Sequence, residues 1–144
     1  MSEGFSTFEH TGDLGLEVWA ERPERLYALA VAALHAQIIQ VGEDAAAKPE
    51  GHDQRQLSLD GQDAADLLVH WLNTALLEGD LAQAVWTTAE AEELTVRSLK
   101  GSLVGPRRDR ERHVFLREVK AVSHHALELD LTPGTCRCRL ILDI

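Results

Sequence analysis

Two aspartates near opposite ends of the chain have the residue type and sequence surroundings of possible metal ligands. Asp13 lies between Gly12 and Gly15 at the start of an alternating segment, and Asp143 lies near the end of another. Glycines beside a carboxylate let the backbone approach a ligand closely. If the two segments pair, both aspartates and the terminal carboxylate of Ile144 share one small volume, and a hard divalent cation would neutralise them. In the simpler alternative, Asp13 caps a turn and Asp143 is a solvated strand end.

The seven histidines show no clear metal-ligand spacing. Three occur singly at helix or loop positions, where packing or exposure is the simpler interpretation: His35, His52 and His70. His124 and His125 are adjacent in a strand-like segment and are therefore expected on opposite faces. A zinc site made of His10, His124 and Cys138 remains an alternative, although Cys138 falls on the apolar face of its predicted strand.

A cationic loop interrupts an otherwise acidic sequence. The segment "GSLVGPRRDRERH" and the lysine before it hold five of the chain's 14 Lys and Arg residues: Lys100, Arg107, Arg108, Arg110 and Arg112. Such runs are usually solvated, and the alternative is a contact loop for an anionic partner. The formal net charge of -10 argues against the whole protein wrapping a nucleic acid.

The bulk composition is that of one globular domain over residues 1–144, with 44% hydrophobic and 26% charged residues. Cys136 and Cys138 are two apart in a predicted strand, a poor geometry for a disulfide. The chain shows no signal peptide and no apolar run of membrane-spanning length, which predicts a cytoplasmic protein without a membrane partner. Phosphate-binding loops, dinucleotide fingerprints, H-E-x-x-H and nucleophile elbows are also missing from the sequence.

Two amphipathic helices are predicted from apolar residues with a helical period. The first begins at Pro23 and continues through Val41 to a stop at Gly42. The second has Asp63 as its N-cap and ends near Gly79.

Most of the remaining chain alternates as strands do. A loop is expected at residues 43–53, and one continuous strand over 114–131, with Lys120, Val122 and His124 on one face. This parity places Lys120 on the same kind of face as Asp13 and Asp143. The last strand turns Cys136, Cys138, Leu140 and Leu142 inwards. Two helices against a largely antiparallel sheet predict an α+β architecture.

Four motifs in order, "FEHTGDLGLEVWA", "DLLVHWLN", "REVKAVSHHALEL" and the closing "LILDI", resemble the archease family. They extend from Phe8 to Ile144. The sequence departs from the family pattern at Thr74, where an acidic residue is common, and in the loop "GPRRD". The first departure puts in doubt any role for an acid at that position, and the second is consistent with a different partner surface.

The resemblance implies an α+β, archease-like fold and a protein that is not itself an enzyme. Archeases assist the RNA-splicing ligase of the RtcB type by promoting its guanylylation and repeated turnover in tRNA splicing or RNA repair. Contacts with RNA and GTP are then indirect, through the ligase.

The resemblance also assigns roles to residues. It places a metal site at Asp13, Asp143 and Ile144, with calcium as the expected ion and magnesium or manganese as alternatives. It makes Lys120 functionally required, and we group His10 and His124 with it as functional or partner-contacting side chains. Two other functions stay open: a metal-dependent phosphoesterase using Asp13, Asp143 and His124, and a general chaperone or interaction module for RNA-modifying enzymes.

Overall fold

The computed structural model describes residues 3–42 and 51–144, so most of the loop expected at 43–53 lies outside the described residues. The described part contains two α-helices, α1 (Pro23–Ala36) and α2 (Ala64–Ala82). It also contains nine strands: β1 (Gly4–His10), β2 (Asp13–Ala20), β3 (Ile39–Val41), β4 (Asp53–Asp60), β5 (Thr88–Leu94), β6 (Ser98–Gly105), β7 (His113–Phe115), β8 (Ala121–Asp130) and β9 (Cys136–Asp143). Neither helix is long and apolar enough to cross a membrane.

The strands form three antiparallel sheets, in the orders β1-β2-β9-β8, β4-β6-β5 and β3-β7. Both helices pack against the four-stranded sheet and also contact the three-stranded sheet. The predicted α+β architecture is confirmed, because amphipathic helices and half-apolar strands bury their apolar sides together.

The inner face of the four-stranded sheet follows the predicted alternation of β2 and β9. Leu16 lies opposite Leu140 and Val18 opposite Cys138, and all four are at most 1% exposed. Burial raises the pKa of the Cys138 thiol to about 12, so it stays protonated and unreactive at neutral pH. The residues between them, which include Glu17 and Arg139, occupy the outer face.

Helix α1 begins at Pro23 as predicted but ends at Ala36, so the prediction that it continues to Gly42 is wrong. Residues Ile39–Val41 instead form β3, which pairs with β7. The carbonyl of Ile38 accepts a hydrogen bond from the backbone N–H of Leu116 at 2.8 Å. This pairing with a segment distant in sequence favours the extended conformation over another helical turn, and β-branched residues fit it well.

Helix α2 begins as predicted, because the side chain of Asp63 accepts the backbone N–H of Asp66 at 2.8 Å. It ends at Ala82, three residues beyond the predicted end at Gly79. The stop is Gln83, whose left-handed backbone (φ 51°) satisfies the last turn of the helix.

The continuous strand predicted for 114–131 is wrong. It is split into β7 and β8, and β8 itself loses its register against β9 between Ser123 and Glu128. Three extra residues bulge out there, and Ala126 among them has a positive φ of 56°. The bulge reverses which residues face inwards, so Val122 and Leu129 both lie on the inner side although their parity differs.

Candidate functional site

The turn end of the β1–β2 hairpin and the C-terminal end of β9 meet at one end of the four-stranded sheet. Leu14 lies opposite Leu142 in the antiparallel pairing of β2 with β9. One step further, the same register sets Asp13 opposite Asp143. The structure therefore brings together the two aspartates that the sequence analysis singled out, although 130 positions separate them along the chain.

The two carboxylates form a close cross-strand pair on the outer face. The carbonyl of Asp143 accepts the backbone N–H of Lys120 at 2.7 Å, so it points towards β8 and away from β2. Asp13 and Asp143 are then a non-hydrogen-bonded pair, for which Cα atoms are about 4.5 Å apart and side chains are closest. Asp13 is half-buried and Asp143 exposed, so ligands from solvent can reach both. We call this part of the sheet, with Ile144, the carboxylate edge.

His10 lies beside the carboxylate edge. It is the partner of Asp13 across the hairpin, and its Nδ1 atom lies 3.4 Å from Oδ2 of Asp13. Gly12 in the intervening turn has a φ of 77°, a conformation that strongly favours glycine. The Nδ1 atom is buried and makes no hydrogen bond within the described residues, so His10 interacts with Asp13 by charge when the imidazole is protonated.

An aromatic layer that the sequence analysis missed supports the carboxylate edge. Phe8 lies opposite Gly15, and a Cβ atom on Gly15 would come within 2.2 Å of the phenyl ring. The guanidinium carbon of Arg139 stands 4.0 Å from the ring centroid on the same face. The ring therefore occupies the space above Gly15, which explains why a glycine follows Asp13 by two residues. The signal available in the sequence was the spacing of Phe8 and Gly15, which a two-residue turn after His10 sets opposite each other.

Asn73 of α2 is a second residue that was missed. Its Nδ2 donates to the carbonyl of Val122 at 3.1 Å, and its Oδ1 accepts the backbone N–H of Val122 at 2.8 Å. Asn73 therefore bonds the side of β8 that has no strand neighbour among the described residues. Its partner Val122 follows Ala121, the residue opposite Asp143. The signal available in the sequence was Asn73 itself, a polar residue on the otherwise apolar side of the motif "DLLVHWLN".

Lys120 contacts the carboxylate edge through its backbone, and not through the strand position predicted for it. Ala121, not Lys120, lies opposite Asp143, and Val122 faces inwards opposite Leu142. The parity argument that placed Lys120 on the face of Asp143 does not hold, because the parity was counted through the bulge of β8 and Lys120 lies outside that strand. Lys120 lies just before β8, bonded to Asp143 through its backbone, and its side chain is exposed.

His124 belongs to another part of the molecule. Its Nε2 lies 3.1 Å from Oδ1 of Asp66, at the start of α2. The backbone N–H of Gln62 and, to a lesser extent, His124 hold the pKa of Asp66 below its usual value. His124 thus faces the helix layer, whereas Asp13 and Asp143 lie on the outer face. The structure does not assemble the proposed phosphoesterase set of Asp13, Asp143 and His124.

The alternative zinc site is not assembled either. Cys138 is 1% exposed on the inner face, and three strand spacings, about 14 Å, separate β1 with His10 from β8 with His124. In the described ranges 3–42 and 51–144, no three His, Cys, Asp or Glu side chains are placed to hold a metal ion.

A cation at the carboxylate edge would therefore have two side-chain ligands, Asp13 and Asp143, with backbone oxygen atoms of Ile144 and water completing the shell. Within the described part of the chain, neither aspartate forms an ion pair with Lys or Arg. Unneutralised, opposed carboxylates repel each other. The all-oxygen donor set fits a hard cation such as calcium or magnesium and does not fit zinc.

The cationic loop between β6 and β7 is less uniform than its sequence indicates. Arg107 lies 3.6 Å from Asp53, and Arg112 lies 3.7 Å from Asp109, with both guanidinium groups largely exposed. Arg110 is exposed. These three side chains remain available to a partner.

Arg108 instead has a structural position, with its side chain only 12% exposed. Its backbone N–H donates to the carbonyl of Gln83 at 2.7 Å, and its Nε donates to the carbonyl of Ala84 at 3.1 Å. A further bond joins its Nη2 to Oδ1 of Asp80 at 3.0 Å. Arg108 therefore ties the cationic loop to the end of α2, and its assignment to a contact loop does not match this geometry.

We expect Arg108→Ala to lower the free energy of unfolding by about 1–3 kcal/mol, because it removes the side-chain donors to the buried carbonyl of Ala84 and to the carboxylate of Asp80. Urea unfolding measures this change. Arg110→Ala is the matched control and should leave the unfolding midpoint in place. Equal midpoints for the two variants would contradict the structural role of Arg108.

Comparison with known proteins gives a consistent picture. The family model described as "Archease protein family (MTH1598/TM1083)" matches residues 5–144. "Protein archease" of Methanosarcina mazei is 28% identical, covering 97% of this chain and 95% of the relative. "Protein archease" of Methanopyrus kandleri is 29% identical, covering 94% and 96%. The solution structure of Methanobacterium thermoautotrophicum protein 1598 shares the fold, with a TM-score of 0.69 at 22% identity over 98% of this chain and 99% of the other.

Proposed function

Because this chain belongs to the archease family, we propose that it is a non-catalytic activator of an RNA-splicing ligase of the RtcB type. In this role it promotes guanylylation of the ligase and repeated turnover in tRNA splicing or RNA repair. The observation that supports the proposal most strongly is that Asp13 and Asp143 lie opposite each other at the end of the two central strands, with the backbone of Lys120 bonded to Asp143.

The chemistry of guanylylation explains what such an edge contributes. Transfer of a nucleotidyl group depends on positioning the phosphates and on neutralising the charge that develops on them. We propose that Asp13, Asp143 and Ile144 hold a divalent cation, calcium or else magnesium or manganese, which supplies that neutralisation when bound. The exposed ammonium group of Lys120 adds a second positive charge for phosphate oxygens.

The surrounding residues keep this arrangement rigid. Phe8 fills the space above Gly15, and Asn73 holds the backbone of Val122 from the helix side. An edge fixed in this way can enter the site of another protein without rearranging, which reduces the entropy lost on binding. RNA and GTP are then contacted through the ligase.

The direct test is RNA joining by the cognate ligase, with substrates that carry a 2′,3′-cyclic phosphate and a 5′ hydroxyl, in the presence of GTP. With this protein, we expect several joined products per ligase molecule, and without it about one. The protein alone on the same RNA is the control for an activity of its own. Turnover numbers that do not depend on added protein would contradict the proposal.

A further inference from the structure

An ordered apolar strip lies exposed next to the carboxylate edge. Val114, Phe115 and Leu116 are consecutive, and their exposed fractions are 56%, 51% and 44%. These residues belong to β7 and the position after it, and β7 has no strand neighbour other than β3 among the described residues. We call these three residues the apolar strip.

The apolar strip is held in place on both sides, so its exposure is not a sign of a loose segment. Before it, the backbone N–H of His113 donates to the carbonyl of Asp109 at 2.8 Å. After it, Nη1 of Arg117 donates to the carbonyl of Gln37 at 2.7 Å, and Val119 is 7% exposed. Large apolar side chains that are fixed in water-exposed positions are typical of interaction sites.

The charge around the apolar strip has the opposite sign to that of the protein. Residues 107–120 contain six cationic and three acidic side chains, a formal charge of +3, and the carboxylates of Asp53 and Asp80, which pair with Arg107 and Arg108, reduce the local charge to +1. The cationic members are Arg107, Arg108, Arg110, Arg112, Arg117 and Lys120. A complementary surface is therefore apolar at its centre and bears Asp and Glu side chains around it.

The apolar strip and the carboxylate edge lie close enough together to contact one partner. Four residues of chain join Leu116 to Lys120, which limits their separation to about 14 Å. An ordinary protein interface of about 800 Å² per partner has a radius of about 16 Å. A partner that receives the carboxylate edge is therefore close enough to contact the apolar strip as well.

We infer that the apolar strip, with its flanking arginines, is the docking surface for the protein that receives the carboxylate edge, through an apolar pocket edged with carboxylates on that protein. The inference rests on the proposed function only for the identity of that protein, the ligase. Phe115 could stack on a base, but Val114 and Leu116 on either side of it are aliphatic and could not, and the acidic remainder of the chain repels RNA. A two-fold contact between copies would bring two surfaces of the same net positive charge together, which disfavours self-association through the strip.

The test separates binding from stimulation. The variant Phe115→Asp/Leu116→Asp is compared with Val96→Asp, a matched control because Val96 is 64% exposed in the turn between β5 and β6. Calorimetry with the purified ligase gives Kd, and RNA joining at increasing protein concentration gives the plateau of stimulation. We expect the strip variant to raise Kd and the half-maximal concentration at least tenfold, with an unchanged plateau, and the control to match the wild type.

Four outcomes would overturn the inference. The first is a strip variant that binds the ligase as tightly as the wild type. The second is wild-type protein that does not bind the ligase. The third is that the protein binds single-stranded RNA in the absence of the ligase, that Arg110→Glu loses this binding, and that the strip variant still binds the ligase. The fourth is a dimer of this chain that the strip variant dissociates. Wild-type protein that binds the ligase without stimulating it would contradict the proposed function alone, and the strip variant would still decide this inference.

Discussion

Replacing Asp143 by asparagine is expected to abolish stimulation of the ligase while leaving the protein folded. Asparagine has almost the same size as aspartate and keeps one oxygen atom, but it removes the charge that a hard cation requires. The backbone bond between Lys120 and Asp143 does not involve the side chain and remains. We expect stimulation in multiple-turnover RNA joining to fall at least about tenfold, since even residues behind metal ligands have effects of this size. Asp13→Asn should behave in the same way.

Stability is expected to change in the opposite direction from function. In a chelator, Asp13 and Asp143 are like charges directly opposed across two strands, an arrangement that destabilises a sheet by about 0.2–1 kcal/mol. Each Asn variant relieves this repulsion and should unfold at the same urea concentration as the wild type or at a slightly higher one. Glu92→Gln in β5, an exposed carboxylate far along the chain from the edge, serves as the control for loss of one charge. Full stimulation by both Asn variants would contradict the role of the carboxylate edge.

Acid is expected to destabilise the protein through His35, with an effect of about 3 kcal/mol. His35 in α1 is 1% exposed, its Nδ1 lies 3.3 Å from the carbonyl of Val31, and its Nε2 makes no bond within the described residues. Burial, together with the positive charge of Arg108, lowers the pKa of His35 from 6.5 to about 4, while the Val31 carbonyl and Asp80 oppose this change. A difference of this size between the folded and unfolded states corresponds to about 3 kcal/mol.

The direction follows from which state binds the proton. The unfolded chain protonates His35 as the pH falls through 6.5, whereas the folded chain does so only near pH 4. Stability from neutral His35 is therefore complete above pH 6.5, declines between 6.5 and 4, and changes no further below 4. Urea unfolding as a function of pH measures this decline. His35→Phe should flatten that part of the profile, and His125→Gln, at an exposed position, should not. An unchanged profile in His35→Phe would contradict this account.

The sequence singled out Asp13 and Asp143 but left open whether their two strands pair. Strict alternation in β2 and β9 identified one apolar face on each strand, and only one face of a half-buried strand can turn inwards. Once β2 and β9 pair side by side with both apolar faces inwards and Leu14 opposite Leu142, the residues one step beyond become neighbours. The N-cap of α2 at Asp63 was also predictable, because its bond to Asp66 is local.

Features that depend on distant contacts were not predictable in the same way. Ile38 and Val41 continue the helical period of α1, and only the pairing of Ile39–Val41 with β7 selects a strand. The three extra residues after Ser123 leave the apolar pattern looking continuous, so the reversal of face in β8 is not visible in the sequence. The structural position of Arg108 depends on where α2 ends, at Gln83.

Calcium titration by calorimetry, carried out on the wild type, Asp13→Asn and Asp143→Asn, tests most directly whether the carboxylate edge is a cation site. We predict one site per chain in the wild type, and at least about tenfold weaker binding in each variant, with Glu92→Gln unchanged. Binding of equal affinity in the wild type and both Asn variants would contradict the account, as would a wild-type protein that binds neither calcium, magnesium nor manganese.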